Sequence, residues 1–380
     1  MTESLPETIT TVITYITIAT ELAWISAVLW LWIGLFRYKA PIGEQQPMVS
    51  VLIAARNEAG VIGRCLTALT KQDYPEERWE LVVVDDDSDD STRAEIRSFR
   101  GKFYEMKMLS IEAPPAGVAP KKHALSMGIR AASGEVILTT DADCLPPSGW
   151  ISSMAKQFDE GVDAAAGYSP LGGPGLVGIV AALDAFINAV VSAGSIGQGR
   201  PTTVAGRNFG FRRSVFLEIG GYGENIEGAS GDDDLLLQRI SNRGGKVRFN
   251  PESASHVLSS APPTFSAWWR MKRRHISAGK RYEPVLVAFS TILYLFQVGL
   301  ILSIIFTLSG MISFQLLILI WGVKIVVDTI TMGKGAALLK IRRWLVPVIV
   351  AELVSPLVFT LLIPTAMVGK VKWKGRDLDS

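Results

Sequence analysis

Three groups of carboxylates in this chain stand where an acid is costly unless it has a task. The first closes an apolar run, in which Val136-Ile137-Leu138-Thr139-Thr140 leads into Asp141 and Asp143. A carboxylate ending a buried strand must be neutralised. Two acids two residues apart point to the same side of an extended chain. Such a pair offers hard oxygen ligands and leaves coordination positions free, which suits Mg2+ or Mn2+ bridging to two phosphate oxygens. The second group, Asp85 to Asp90 in DDDSDDST, follows the apolar run Leu81 to Val84. The third, Asp232, Asp233 and Asp234, precedes a helical pattern carried by Leu235, Leu236 and Ile240. A helix N-terminus favours aspartate, which accounts for one or two of the three. A row of three repels itself, so at least one has another task, such as a general base that takes a proton from an acceptor hydroxyl. Blander readings exist: turn formers before Pro146-Pro147 for the first group, and a solvated loop and helix cap for the second. His123 and His256 read as surface and structural residues.

The elements that must position these acids follow from periodicity. Met48 to Ala54 is a buried strand, followed by the turn Ala55-Arg56-Asn57-Glu58-Ala59-Gly60 and a helix on Val61, Ile62, Leu66 and Leu69. Leu81 to Val84 is a strand, Arg93 to Phe99 a helix, Lys107 to Ile111 a strand and Lys122 to Ala132 a helix, before the strand at Val136. Strands that are apolar throughout, alternating with helices, predict an α/β domain with a mainly parallel sheet covered on both faces. Ligands in such sheets bind beyond the carboxyl ends of the strands, so the polar clusters at three strand ends, Arg56-Asn57-Glu58, Asp85 to Asp90 and Asp141 with Asp143, should converge on one crevice. No glycine-rich dinucleotide fingerprint and no phosphate loop follow the first strand, which argues against hydride transfer and nucleotide hydrolysis.

The chain has 380 residues, 48% of them hydrophobic and 19% charged, with a net charge of +2. The apolar excess lies at the two ends. Thr10 to Phe36 is long enough to span a bilayer, and Arg37 and Lys39 at its far end place the following domain in the cytoplasm. Val285 to Leu308 and Ile312 to Met332 read as a helical hairpin whose outer turn is Ser309-Gly310-Met311, with Lys334, Lys340, Arg342 and Arg343 inside. Lys324 and Asp328 fall four residues apart inside the second of these spans and read as a self-neutralising pair. Leu345 to Val368 carries three prolines; a re-entrant or interfacial course keeps the basic tail after it inside, whereas a simple span places it outside. Phe265 to Tyr282 interleaves basic residues with Trp268 and Trp269, as suits a helix in the lipid headgroup layer rather than a nucleic-acid surface. Gly175 to Gly199 is apolar but lacks flanking charge, and reads as a core helix or an interfacial surface. Cys65 and Cys144 have no metal-ligand spacing and read as reduced thiols.

The order of these motifs from Val49 to Arg274 resembles the family-two inverting glycosyltransferases, with the GT-A nucleotide-diphosphosugar transferase fold, and the membrane layout is similar to the lipid-modifying branch. The resemblance implies four parts: an anchor in residues 1–46, a cytoplasmic GT-A domain in 47–262, a basic interfacial helix in 263–283 and membrane helices with a basic tail in 284–380. It implies that Ala55, Arg56, Asn57, Glu58, Asp85 and Asp86 line the nucleoside pocket, that Lys121 approaches the diphosphate, and that Asp141 faces the nucleotide while Asp143 binds Mn2+ or Mg2+. The acidic pair before the helix aligns with Asp232-Asp233, and the spacing to Arg239 makes Asp233 the base. Arg207 and Asn208 fall in the acceptor-side segment, and Arg274 on the leaving-group or acceptor side. The family's Gln-x-x-Arg-Trp is Met271-Lys272-Arg273-Arg274-His275 in this chain, which favours one or few transfers over polymer extension. The expected partners are a nucleotide-diphosphate sugar, with UDP the default, and a lipid acceptor in an inner or plasma membrane. A polysaccharide synthase and a polyprenyl-phosphate glycosyltransferase are the alternatives within the class. A sugar nucleotidyltransferase and an inactive membrane scaffold lie outside it.

Overall fold

The computed structural model describes residues 5–41, 46–112, 114–115, 117–226, 231–341, 345–368, 372–373 and 376–377. Its strands are β1 (Val49–Ala55), β2 (Trp79–Asp86), β3 (Met106–Ile111), β4 (Val136–Thr139), β5 (Ala164–Gly167), β6 (Leu171–Gly172), β7 (Phe209–Arg212), β8 (Val247–Asn250) and β9 (Ser259–Ser260). Seven of them form one sheet in the order β3-β2-β1-β4-β7-β5-β8. Neighbours run parallel except across β7, which pairs antiparallel with both β4 and β5. The strands alternate with α2 (Ile62–Leu69), α3 (Thr92–Arg97), α4 (Pro120–Ala131), α5 (Trp150–Ala155), α7 (Arg213–Glu218) and α8 (Asp234–Asn242). Every residue of β2 is buried, as a strand covered on both faces requires. This strand is longer than its apolar run and takes Asp85 and Asp86 into the sheet.

The apolar segments form α1 (Leu5–Gly34), α6 (Gly175–Gly197), α10 (Pro284–Leu308), α11 (Phe314–Leu338) and α12 (Leu345–Met367). All five are long and apolar enough to cross a membrane. The helix α6 belongs to both worlds. Phe186, Ala189, Val190 and Ala193 join the sheet core, while Leu176 stays 75% exposed. Glycine lets α1 approach α6 backbone to backbone: a Cβ on Gly34 would lie 1.9 Å from Gly194 O, and one on Gly197 2.0 Å from Gly34 O. A Cβ on Gly335 of α11 would similarly meet Val190 at 2.3 Å.

The basic amphipathic stretch is α9 (Phe265–Ser277), whose N-cap Thr264 accepts a hydrogen bond from Ala267 N at 3.2 Å. The proline-bearing segment forms α12, one unbroken helix, as either a span or an interfacial course allows. Pro356 and Pro364 each forfeit a single internal bond, which neighbouring helices make tolerable. Its far end nevertheless comes back to α9, where Arg273 donates to Thr365 O at 2.8 Å and Val368 O at 3.3 Å. Ser230, Arg342, Arg343 and most of the basic tail fall outside the described residues.

Candidate active site

Parallel register brings the ends of β1, β2 and β4 together, with Ala55 opposite Asp85 and Leu52 opposite Thr139. After β1 the chain turns through Asn57, whose φ of 52° is left-handed. This turn is laced to the loop after β2. Arg56 Nη1 donates to Asp86 O at 2.6 Å and Asp87 O at 2.8 Å, Asn57 N to Ser88 Oγ at 3.1 Å, and Glu58 N to Thr92 Oγ1 at 2.7 Å. Arg56 and Asn57 therefore tie the turn after β1 to the loop after β2, and neither lines the large cavity described below. Asp85 is fully buried, with Arg93 Nε 2.7 Å from its Oδ2. Its Oδ1 is buried without a partner, an acceptor that a donor group on a nucleobase or ribose would satisfy.

Beyond β4, Asp141 and Asp143 do face one place, and the thiol of Cys144 joins them, with ligand atoms of all three within 4.8 Å of one another. Ser259 Oγ donates to Asp143 Oδ2 at 3.3 Å. Burial and the neighbouring Asp141 and Asp143 charges push the Cys144 thiol up to about 12, so it stays protonated. The hard carboxylates, not the thiol, are the ligands this site offers, and they fit Mn2+ or Mg2+.

Lys121 links the metal pair to the third acid group, with its ammonium 3.1 Å from Asp141 Oδ1 and 2.9 Å from Asp232 Oδ2. Burial opposes ionisation of Asp232, but the Lys121 ammonium wins and holds its carboxyl below the usual range. Asp233 differs. Its Oδ2 accepts from Gly206 N at 2.8 Å and its Oδ1 from Asp234 N at 2.9 Å, so it caps α8 and is fixed in orientation. Burial, then the Asp234 and Asp232 charges, raise it to about 8. Asp234 accepts from Val204 N at 2.8 Å and from Tyr282 Oη at 2.8 Å. The row of three thus divides its labour: one acid pairs with lysine, one is a raised and oriented carboxyl, and one ties the helix to the segment entering α10.

A cavity of about 760 Å3 opens over these groups, lined by Lys121, Asp141, Asp143, Asp232 and Asp233 and also by Val287, Tyr294, Phe359, Ile363 and Met367 of α10 and α12. Arg207 and Arg274 line it too, together with Lys272 and His275. Desolvation in the cavity and the Arg274, Lys272 and Arg207 charges lower the His275 imidazole below its ordinary value, although the residue as a whole is exposed.

Asn208 is a correction. Its side chain is completely buried and does not line the cavity. It accepts from Trp150 Nε1 at 2.9 Å and donates to Tyr168 O at 2.8 Å and Ser255 O at 2.7 Å. An amide with that many buried partners is a strut beneath the site. Cys144, Ser259, Gly206 and Tyr282 were missed by sequence reasoning. Only Cys144, next to the acidic pair, carried a usable signal.

Comparison with known proteins matches residues 50–220 to the family described as glycosyl transferase family 2. Residues 137–367, more than half of the chain, match the glycosyl transferase family group 2. The chain belongs to glycosyltransferase family 2. This glycosyltransferase is 32% identical over 240 residues to the probable glycosyltransferase YdaM of Bacillus subtilis, covering 61% of the chain and 55% of that protein. It is 31% identical over 112 residues to the beta-monoglucosyldiacylglycerol synthase of Synechocystis, covering 30% of the chain and 23% of that protein. The match to YdaM thus spans about half of that relative's length. A solved structure, the mannosyltransferase PcManGT of Pyrobaculum calidifontis in complex with GDP-Man and Mn2+, superposes with a TM-score of 0.55 over 96% of this chain and 97% of that one at 19% identity. The glycosyltransferase therefore has the GT-A fold, with a mainly parallel sheet.

Proposed function

We propose that this glycosyltransferase moves one sugar from a nucleotide-diphosphate sugar to a membrane lipid, with inversion at the anomeric carbon. One observation carries the reading: a single cavity is lined both by the acidic and lysine cluster and by helices long and apolar enough to cross a membrane. A hydroxyl on an apolar tail can reach Asp233 from that side without leaving the lipid phase. UDP is the default donor. The monoglucosyldiacylglycerol synthase relative supports a glycerolipid acceptor, and the manganese of the mannosyltransferase structure supports a divalent ion. The enzyme is proposed to be integral to the inner or plasma membrane, with its GT-A domain cytoplasmic. The return of the end of α12 to the basic helix α9 supports a tail on that same side. The four parts proposed from the sequence, 1–46, 47–262, 263–283 and 284–380, remain the working division.

In the proposed reaction Asp233, held by two backbone N–H groups, removes the acceptor proton as the oxygen attacks opposite the diphosphate. Asp143 and Asp141 would hold Mn2+ or Mg2+, which when bound offsets charge on the leaving diphosphate. The Lys121 ammonium adds to that from its place between Asp141 and Asp232. Ala55 to Glu58, Asp85 and Asp86 shape the nucleoside pocket, while Arg207 and Arg274 line the acceptor path.

The test is incubation of the full chain in lipid nanodiscs with labelled UDP and GDP sugars, Mn2+, and diacylglycerol, ceramide, sterol or polyprenyl phosphate in turn. One labelled sugar per lipid is the expected product. Failure of every combination to release nucleotide diphosphate or label a lipid refutes the reading, and a labelled polymer refutes single transfer.

A further inference from the structure

Lys324 and Asp328 are not an isolated pair. The Lys324 ammonium meets Asp328 Oδ2 at 2.9 Å and also the carboxylate of Glu352 on α12. Trp24 of α1 donates its Nε1–H to Asp328 Oδ1 at 3.0 Å, and the same ammonium lies 5.4 Å from the Trp24 ring centroid. Glu352 and Asp328 therefore share one ammonium. Three helices thus meet on one lysine.

A fourth charge faces this network. Glu21 of α1, three residues before Trp24, interacts electrostatically with Asp328 and Lys324. It is only 8% exposed, and both of its carboxylate oxygens are buried without a partner. Among the described residues no other charge compensates it. The helix α10 carries no charged residue, and Asp184, the one charged residue of α6, is paired with Lys272. The count is three carboxylates against one ammonium. One proton on either Asp328 or Glu352 still leaves Glu21 in excess. An ionised carboxylate buried among apolar helices without a partner is costly, so even with that proton the bundle is one positive charge short.

We propose that Glu21, with Asp328 and Glu352 behind it, forms an intramembrane site for one monovalent cation, either a proton or an alkali ion. The site lies apart from the sugar-transfer cavity, whose lining contains none of these residues. Its occupant holds α1 against α11 and α12.

The experiment is thermal unfolding of the full chain in nanodiscs, with Na+, K+ or Li+ replacing a bulky organic cation at constant ionic strength, repeated across pH. The variants are Glu21→Gln and, in case that one fails to fold, Glu21→Leu. A saturable rise in Tm of about 3 °C with one alkali ion, absent in the variants, supports the site and names its occupant as that ion. A rise on lowering pH that is indifferent to alkali ions, and that the variants lose, supports it with a proton as occupant. A wild-type Tm indifferent to both, or a response that the variants keep, overturns it.

Discussion

Gly206→Ala should separate stability from catalysis in this enzyme. A Cβ at that position would lie 2.9 Å from Asp233 Oδ2, 3.0 Å from its Cβ and 3.2 Å from its Cγ, where ordinary contact begins at 3.4 Å. The carboxylate is the movable partner, so it must give way by about half an ångström and lengthen its 2.8 Å bond to Gly206 N. The fold loses only part of a helix cap, about 1 kcal/mol. If Asp233 is the base, as proposed, it is displaced from the acceptor oxygen, and such misplacement costs roughly 10- to 100-fold in rate, or about 1.4 to 2.8 kcal/mol of barrier. Steady-state kinetics on the reconstituted enzyme should show kcat down by that factor, donor KM unchanged and Tm close to wild type. A normally folded variant with kcat within about twofold of wild type would refute the assignment of Asp233 as the base.

The raised Asp233 carboxyl predicts that kcat/KM climbs with pH to a plateau above about 8, since only its ionised form accepts a proton; a flat profile across that range removes the base from the mechanism. The same shift means that the folded state binds the extra proton, so between the ordinary value of 3.8 and about 8 this group makes stability fall as pH rises. Asp143→Ala should abolish the Mn2+ dependence of nucleotide-diphosphate binding measured by calorimetry, and equal affinity with metal and with chelator in both proteins would defeat the metal role. Asn208→Ala should cost about 2–4 kcal/mol in chemical denaturation by orphaning the Trp150 N–H and two carbonyls, and a neutral result would show that the strut is dispensable. Gly34→Ala should lower Tm because its new Cβ meets backbone at 1.9 Å, whereas Gly322→Ala, with nothing within 4 Å, should not; equal effects would mean that the α1–α6 seam does not hold the anchor.

The carboxylates at the strand ends were legible because a buried acid must be justified, and the sequence places two such groups, Asp85 to Asp90 and Asp141 with Asp143, after apolar runs. Their convergence follows from the parallel register of β1, β2 and β4. The role of Asn208 was not legible, since a polar residue beside Arg207 reads the same whether it points into a cavity or into a buried lattice of carbonyls. The antiparallel β7 was equally hidden. Its four residues carry no directional signal, and only pairing with β4 and β5 reverses it. Length and hydropathy described α6 and α12 but not their partners. Lys324 and Asp328 were read as a closed pair because their spacing is visible along one helix, while Glu21 and Glu352 come from helices remote in sequence.

The glycine seam between α1 and α6 has a mechanical consequence. Helices joined by flexible side chains can slide or rock by small repacking, but Gly34, Gly194 and Gly197 bring main chain against main chain and leave nothing to repack. Since α6 is also bolted into the sheet core, the first membrane helix and the catalytic sheet move as one piece. The distance from Asp233 to this first long apolar helix is then a constant of the molecule. On the proposed lipid-acceptor reading the protein would work as a fixed gauge, and an acceptor whose hydroxyl sits too shallow or too deep in the bilayer would be rejected by distance rather than by shape.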